Sequence, residues 1–229
     1  MNFPEVTAIL TDLQKRDIIS RIWQKDHTVW NASPKEISNR LGWLDATSQM
    51  RREVPALKSF ADEIRQAGFQ KVVLLGMGGA SLGAEVLRQS FGSAPDYPEL
   101  IVLDSTVPEQ VGAVTGAVDP ARTLFIVASK SGGTIETLSL YKYFSRLARG
   151  QNFVAITDPG TLLARLAEEA GFRRVFLNSP DIGGRYSVLS YFGLVPAALI
   201  GLDITKLRQK ADTMREACTS KLSKNPAFH

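Results

Sequence analysis

A chain of 229 residues, 44% hydrophobic and 22% charged, has ordinary globular composition, enough for one α/β domain with an extension. Its net charge of +4 comes from basic residues scattered along the chain, with no run of them interleaved with aromatics, which argues against nucleic acid and suits a small anionic substrate. The single cysteine, Cys218, excludes an internal disulfide, the two histidines, His27 and His229, argue against a histidine metal site, and no apolar run reaches the ~18 residues of a membrane span. With no secretion-type leader at the start, a cytoplasmic protein without cofactor is expected.

Residues 5–25 place Val6, Ile9, Leu10, Leu13, Ile18, Ile19, Ile22 and Trp23 at helical spacing. Asp26, His27 and Trp30 interrupt the pattern and read as a folded-back arm with an anchoring Trp rather than as a site. Ser33-Pro34 reads as a second helix start, with Ile37, Leu41 and Leu44 on one face. Residues 51–67 predict a helix that buries Val54, Leu57, Phe60, Ala61 and Ile64 and stops at Gly68. The pattern then changes. Continuous apolar runs predict five strands near 71–75, 100–104, 123–128, 153–157 and 173–178, each buried on both faces. Helical patterns at 82–91, 108–115, 134–148 and 160–170 alternate with them. That alternation implies a parallel five-stranded sheet with right-handed crossovers, a three-layer αβα sandwich of flavodoxin-like type. Beyond the sheet, an apolar helix is expected from Val188 to Ile200, with Pro196 kinking it or lying in its first turns. A last helix is expected from about Ile204 to Leu222. The domain division is 1–50 for a helical extension and 51–229 for the α/β domain.

In such sheets ligands bind at the carboxyl ends of the strands. Three loops there carry chemistry. Ser129-Lys130-Ser131-Gly132-Gly133-Thr134 joins a buried strand to a helix. Its hydroxyls and the free N–H groups of a helix start suit a phosphate, and its glycines allow close approach. A plain Ser/Thr-rich helix cap remains the alternative. Gly76-Met77-Gly78-Gly79-Ala80-Ser81-Leu82-Gly83 is a second strand-to-helix glycine loop. It departs from the dinucleotide pattern because Ser81 stands where a Gly is needed, and from the P-loop because no Gly-Lys-Ser/Thr follows. Gly183-Gly184-Arg185 is the third. Its arginine either supports a developing oxyanion or pairs structurally with a carboxylate such as Asp181.

GMGGASLG, SKSGGTIET and IGGRYS, in this order and spacing, resemble three motifs of the phosphoglucose isomerase family and, more broadly, sugar isomerase (SIS) domains. The resemblance covers roughly residues 50–229, the first of that family's two SIS domains. RIWQKDHTVW and EISNRLGWL resemble the segment before the isomerase half of bifunctional transaldolase/phosphoglucose isomerase proteins. By position, the resemblance implies a sugar phosphate held by Ser129, Lys130, Ser131, Gly132, Gly133 and Thr134, assisted by Gly79, Ala80 and Ser81. Ala80 departs from the family's usual Ser. Gly184 is implied to lie near the substrate, Arg185 to support an enediol(ate), and Glu136 and Thr137 to be structural.

The same resemblance implies that the Glu, His and Lys which move protons come from segments beyond the first SIS domain, the His from a dimer partner. Asn225-Pro226-Ala227 reads as a cut just after that domain. An inactive N-terminal fragment of a glucose 6-phosphate/fructose 6-phosphate isomerase is therefore expected, completed by a second SIS domain and a partner subunit. The alternative is a non-catalytic SIS module that senses a phosphosugar. A nucleotide-dependent oxidoreductase, with Asp104 as a ribose-binding acid, is disfavoured by Ser81.

Overall fold

The computed structural model describes residues 4–219 and 225–226. The chain opens with α1 (Pro4–Lys15) and α2 (Ile18–Trp23), and passes through short 3-10 turns at His27–Val29, Ser38–Arg40 and Gly42–Asp45. Then come α3 (Ala46–Met50), α4 (Val54–Gln66), β1 (Lys71–Gly76), α5 (Leu82–Phe91), β2 (Glu99–Leu103) and α6 (Pro108–Ala117). They are followed by β3 (Thr123–Ala128), α7 (Ile135–Phe144), β4 (Phe153–Thr157), α8 (Leu162–Glu169), β5 (Arg174–Leu177), α9 (Tyr191–Leu199) and α10 (Ile204–Cys218). The residues after Thr219 in the expected last helix lie outside the described residues.

The five strands form one wholly parallel sheet in the order β2-β1-β3-β4-β5. Successive side chains point to opposite faces, so the apolar runs feed two cores. Val72, Leu74, Leu124, Ile126, Val154 and Ile156 pack with α4, α5 and α9. Val73, Leu75, Phe125, Val127, Phe153 and Ala155 pack with α7 and α8 on the other side. This is the expected αβα sandwich. α9 is buried almost all round, with Pro196 inside it rather than in its first turn. Among the described residues no helix is long and apolar enough to cross a membrane.

The extension departs from expectation. The predicted helix over 5–25 is two helices, broken where Asp17 adopts φ 49°, a left-handed geometry that Asp tolerates better than most residues. The break lets Ile18 turn inward to a buried position. No α-helix starts at Ser33: Glu36 takes φ 61°, and the chain runs on as 3-10 turns. Here tertiary contacts override local propensity. Leu41 forms an antiparallel bridge with Ile182, and the Gly42 N–H donates to the Asp181 carbonyl at 2.9 Å. Nor is Trp30 the anchor, since it is 47% exposed. Trp23 anchors instead, its Nε1–H donating to the Cys218 carbonyl at 3.1 Å.

Candidate functional site

The sheet order fixes where a site can lie. From β1 the chain crosses to β2 on one side, and from β2 it returns past β1 to β3 on the other. The topological switch therefore falls between β1 and β3, whose last residues, Gly76 and Ala128, stand opposite each other. The glycine loop after β1 and the hydroxyl loop after β3 leave the sheet at that point.

In the hydroxyl loop, Ser129 is buried and its N–H donates to the Ile156 carbonyl, holding the loop down on β4. Its hydroxyl shares a 2.9 Å hydrogen bond with that of Thr134. Thr134 is the N-cap of α7, yet its side chain makes no capping bond. The Leu138 N–H closes the first turn on the Thr134 carbonyl, so the N–H groups of residues 135–137 precede the helix ladder. An anion is favoured there. Ser131 and Gly133 are exposed beside it. Gly132 is buried at φ 65°, and a Cβ on it would lie 2.4 Å from Thr161 Cβ, so neither conformation nor space admits a larger residue. Thr137 is fully buried and Glu136 is exposed.

Lys130 is engaged by the loops after β4 and β5. Its Nζ donates to Asp158 Oδ2, at the end of β4, and to the Pro180 carbonyl, beyond β5, at 2.7 Å. Burial pushes the Asp158 carboxyl above its ordinary pKa, against the pull of the Lys130 ammonium and with a push from Asp181.

The glycine loop is bolted to the third loop. A Cβ on Gly79 would lie 2.4 Å from the Gly184 carbonyl carbon, so only glycine permits the two backbones to touch. The Ser187 hydroxyl reaches the carbonyls of Gly184 (2.7 Å) and Gly79 (3.2 Å). Ser81 is buried with its hydroxyl donating back to the Gly78 carbonyl at 3.1 Å, so this side chain is turned into its own loop. Ala80 packs against the core below.

Arg185 is exposed and makes no hydrogen bond or ion pair with the described residues. The structural pairing with Asp181 does not form: that carboxylate accepts from Ser179 Oγ at 2.5 Å and packs against Gly42. Arg185 lines a cleft of about 590 Å³ with Gly79, Gly183, Gly184 and Tyr186. The opposite wall is the extension: Trp30, Glu36, Arg40 and Trp43. Trp43 stacks on Tyr186 at 5.4 Å, and Arg40 is ion-paired to Glu36. These four side chains and Tyr186 were not singled out as site residues in the sequence. The wall depends on the Leu41–Ile182 bridge, a contact across about 140 residues that no local pattern signals.

The structure thus unites Gly79, Gly184 and Arg185 in one cleft, and sets Ser129–Thr134 at the neighbouring strand end. It turns Lys130, Ala80 and the Ser81 hydroxyl elsewhere. Among the described residues no cluster of three or more His, Cys, Asp or Glu is placed to hold a metal.

A family profile described as "Phosphoglucose isomerase" matches residues 43–225. The chain belongs to the phosphoglucose isomerase family. A glucose-6-phosphate isomerase of Thermosynechococcus vestitus is 38% identical over 201 residues, covering 79% of this chain and 37% of the relative. One from a Cyanothece species is 40% identical over 170 residues, 69% of this chain and 32% of the relative. The chain thus spans about a third of the length of these phosphoglucose isomerases. The solved structure of a glucose-6-phosphate isomerase from Chlamydia trachomatis superposes with a TM-score of 0.84 at 20% identity, over 100% of this chain and 49% of that one, and so shares the fold.

Proposed function

We propose that this chain binds glucose 6-phosphate and fructose 6-phosphate and supplies part of the site that interconverts them. The phosphate rests on the N-terminus of α7 and the hydroxyls of Ser131 and Thr134. The sugar reaches toward Gly79 and Gly184, and its C1–C2 end meets Arg185. The observation that carries this reading is the backbone contact of Gly79 with Gly184, which joins the Arg185 loop to the glycine loop that leaves the sheet beside β3, the strand that leads into the phosphate-type helix start.

Aldose–ketose isomerisation moves a proton from C2 to C1 through an enediolate, with negative charge developing on oxygen. A fixed guanidinium stabilises that charge most where it is greatest, in the transition state. Arg185 cannot itself take the proton, because its pKa is too high. Of the nearby carboxylates, Asp158 is engaged by Lys130, Asp181 by Ser179 and Glu36 by Arg40, while Glu136 and Asp104 face solvent. On the family resemblance, we infer that the base comes from outside these 229 residues, together with a second SIS domain and a partner subunit.

Calorimetry tests the reading with two ligands, glucose 6-phosphate and a sugar-acid phosphate whose carboxylate mimics the enediolate. The mimic should bind tighter, and Arg185→Ala should erase its advantage, a loss of roughly 1.5–3 kcal/mol for a hydrogen bond to a charged group. A preference that survives Arg185→Ala contradicts the role of Arg185. Equal affinity for both ligands in the unaltered chain would favour a phosphosugar sensor without chemistry.

A further inference from the structure

We propose that Lys130 is a positioning residue, a brace that ties the phosphate loop to the loop carrying Arg185, and not a ligand of the phosphate. Lys130 belongs to the loop after β3. Its ammonium bonds to Asp158 in the loop after β4 and to the Pro180 carbonyl in the loop after β5. The backbone repeats the tie, since the Asp158 N–H donates to the Lys130 carbonyl at 3.2 Å. One side chain therefore spans three consecutive strand ends. The pair is enclosed: the Lys130 side chain is 24% exposed and that of Asp158 14%. An enclosed, hydrogen-bonded ion pair holds its geometry, and breaking it strands a buried charge. The second carboxylate oxygen, Asp158 Oδ1, is buried without a partner, so Lys130 is the group that compensates this carboxylate.

The far end of the brace leads to the site. Pro180 precedes Asp181, whose carbonyl accepts the Gly42 N–H and whose side chain packs against Gly42. Ile182 bridges to Leu41, and Gly183-Gly184-Arg185 follows at once. Releasing Lys130 should loosen the segment that holds both the extension and Arg185. An ammonium turned onto the phosphate would have to abandon these partners.

Two measurements on the full chain decide this. The first needs no ligand. Hydrogen exchange at the amides of Gly42, Ile182 and Tyr186 reports their bonds to the Asp181, Ser179 and Gly183 carbonyls directly. Lys130→Met should speed their exchange roughly tenfold or more, and Lys130→Arg, which keeps a cation for Asp158, should restore protection. The double variant Lys130→Met/Asp158→Asn, which leaves no buried charge stranded, should behave as Lys130→Met does and serves if the single variant does not fold. Unchanged protection in Lys130→Met or in the double variant overturns the brace. The second measurement titrates inorganic phosphate and rests on the proposed phosphate site. A brace leaves phosphate affinity within about threefold in both Lys130→Met and Asp158→Asn. A direct ligand gives opposite signs instead: Lys130→Met weakens phosphate by roughly tenfold or more, and Asp158→Asn, by freeing the ammonium, tightens it. Opposite signs overturn the proposal. Should phosphate fail to bind the unaltered chain, the site reading falls, while the exchange measurement still decides the brace.

Discussion

Asp26 shows how one carboxylate shapes the extension. It caps the 3-10 turn at His27–Val29, its Oδ1 accepting from the Thr28 N–H (2.9 Å) and the Thr28 hydroxyl (2.6 Å), its Oδ2 from Arg21 Nε (2.8 Å). These bonds favour the ionised form, led by the Thr28 hydroxyl and then Arg21, and hold the carboxyl at about 2 against an ordinary 3.8. A depressed carboxylate stabilises the fold at pH above the unfolded value, and that contribution is lost as pH falls from 3.8 through about 2. A carbon-detected NMR titration of Asp26 should give a midpoint near 2, and Thr28→Ala should move it up toward 3.8. A midpoint unmoved by Thr28→Ala would contradict the leading role of that hydroxyl. The glycines make a contrasting point at the same scale. Gly68 and Gly132 have positive φ, whereas Gly79 is required by space alone, because the Gly184 backbone occupies the volume of any Cβ.

Among the elements, α10 is fixed by charge as well as by apolar contact. Asp212 Oδ2 accepts from Arg208 and, at 3.3 Å, from Arg51 on the approach to α4. Arg208 and Asp212 are each 8% exposed, so both ions have left water for each other. Asp212→Ala would leave Arg208 buried and uncompensated, at a cost of about 3 kcal/mol. That should lower the melting temperature by roughly 6–12 °C for a chain of this size. A change under about 2 °C would show that water reaches the cluster after the truncation. The elements also divide in how legible they were. The central strands β1, β3 and β4 were readable because burial on both faces of a parallel sheet leaves an unbroken apolar run, as in Val72–Leu75 and Leu124–Ala128, whereas the edge strands β2 and β5, expected to be buried on both faces, are partly exposed and were read from shorter runs. The extension was not. Its turns at Ser38–Arg40 and Gly42–Asp45 depend on Asp181 and Ile182, so the local Ser-Pro helix signal pointed the wrong way.

At the scale of the molecule, the same division applies to the site. Gly79, Gly184, Arg185 and the Ser129–Thr134 loop were visible because each lies in a glycine- or hydroxyl-rich loop that follows a strand and breaks its apolar pattern. The wall of the cleft was invisible because Trp30, Arg40 and Trp43 acquire their place only after the extension folds back over the loop that follows β5. Lys130 was legible as a member of its motif, but its partners, Asp158 and Pro180, come from other strand ends. The proposed function puts a sugar phosphate across the switch between β1 and β3. Amide NMR of the 15N-labelled chain titrated with glucose 6-phosphate tests that placement most directly. Saturable shifts should appear together at residues 131–135 and at Gly79, Gly184 and Arg185, and inorganic phosphate should reproduce only the first group. Shifts absent from residues 131–135, or confined to the face of the sheet lined by the amino ends of the strands, would contradict it.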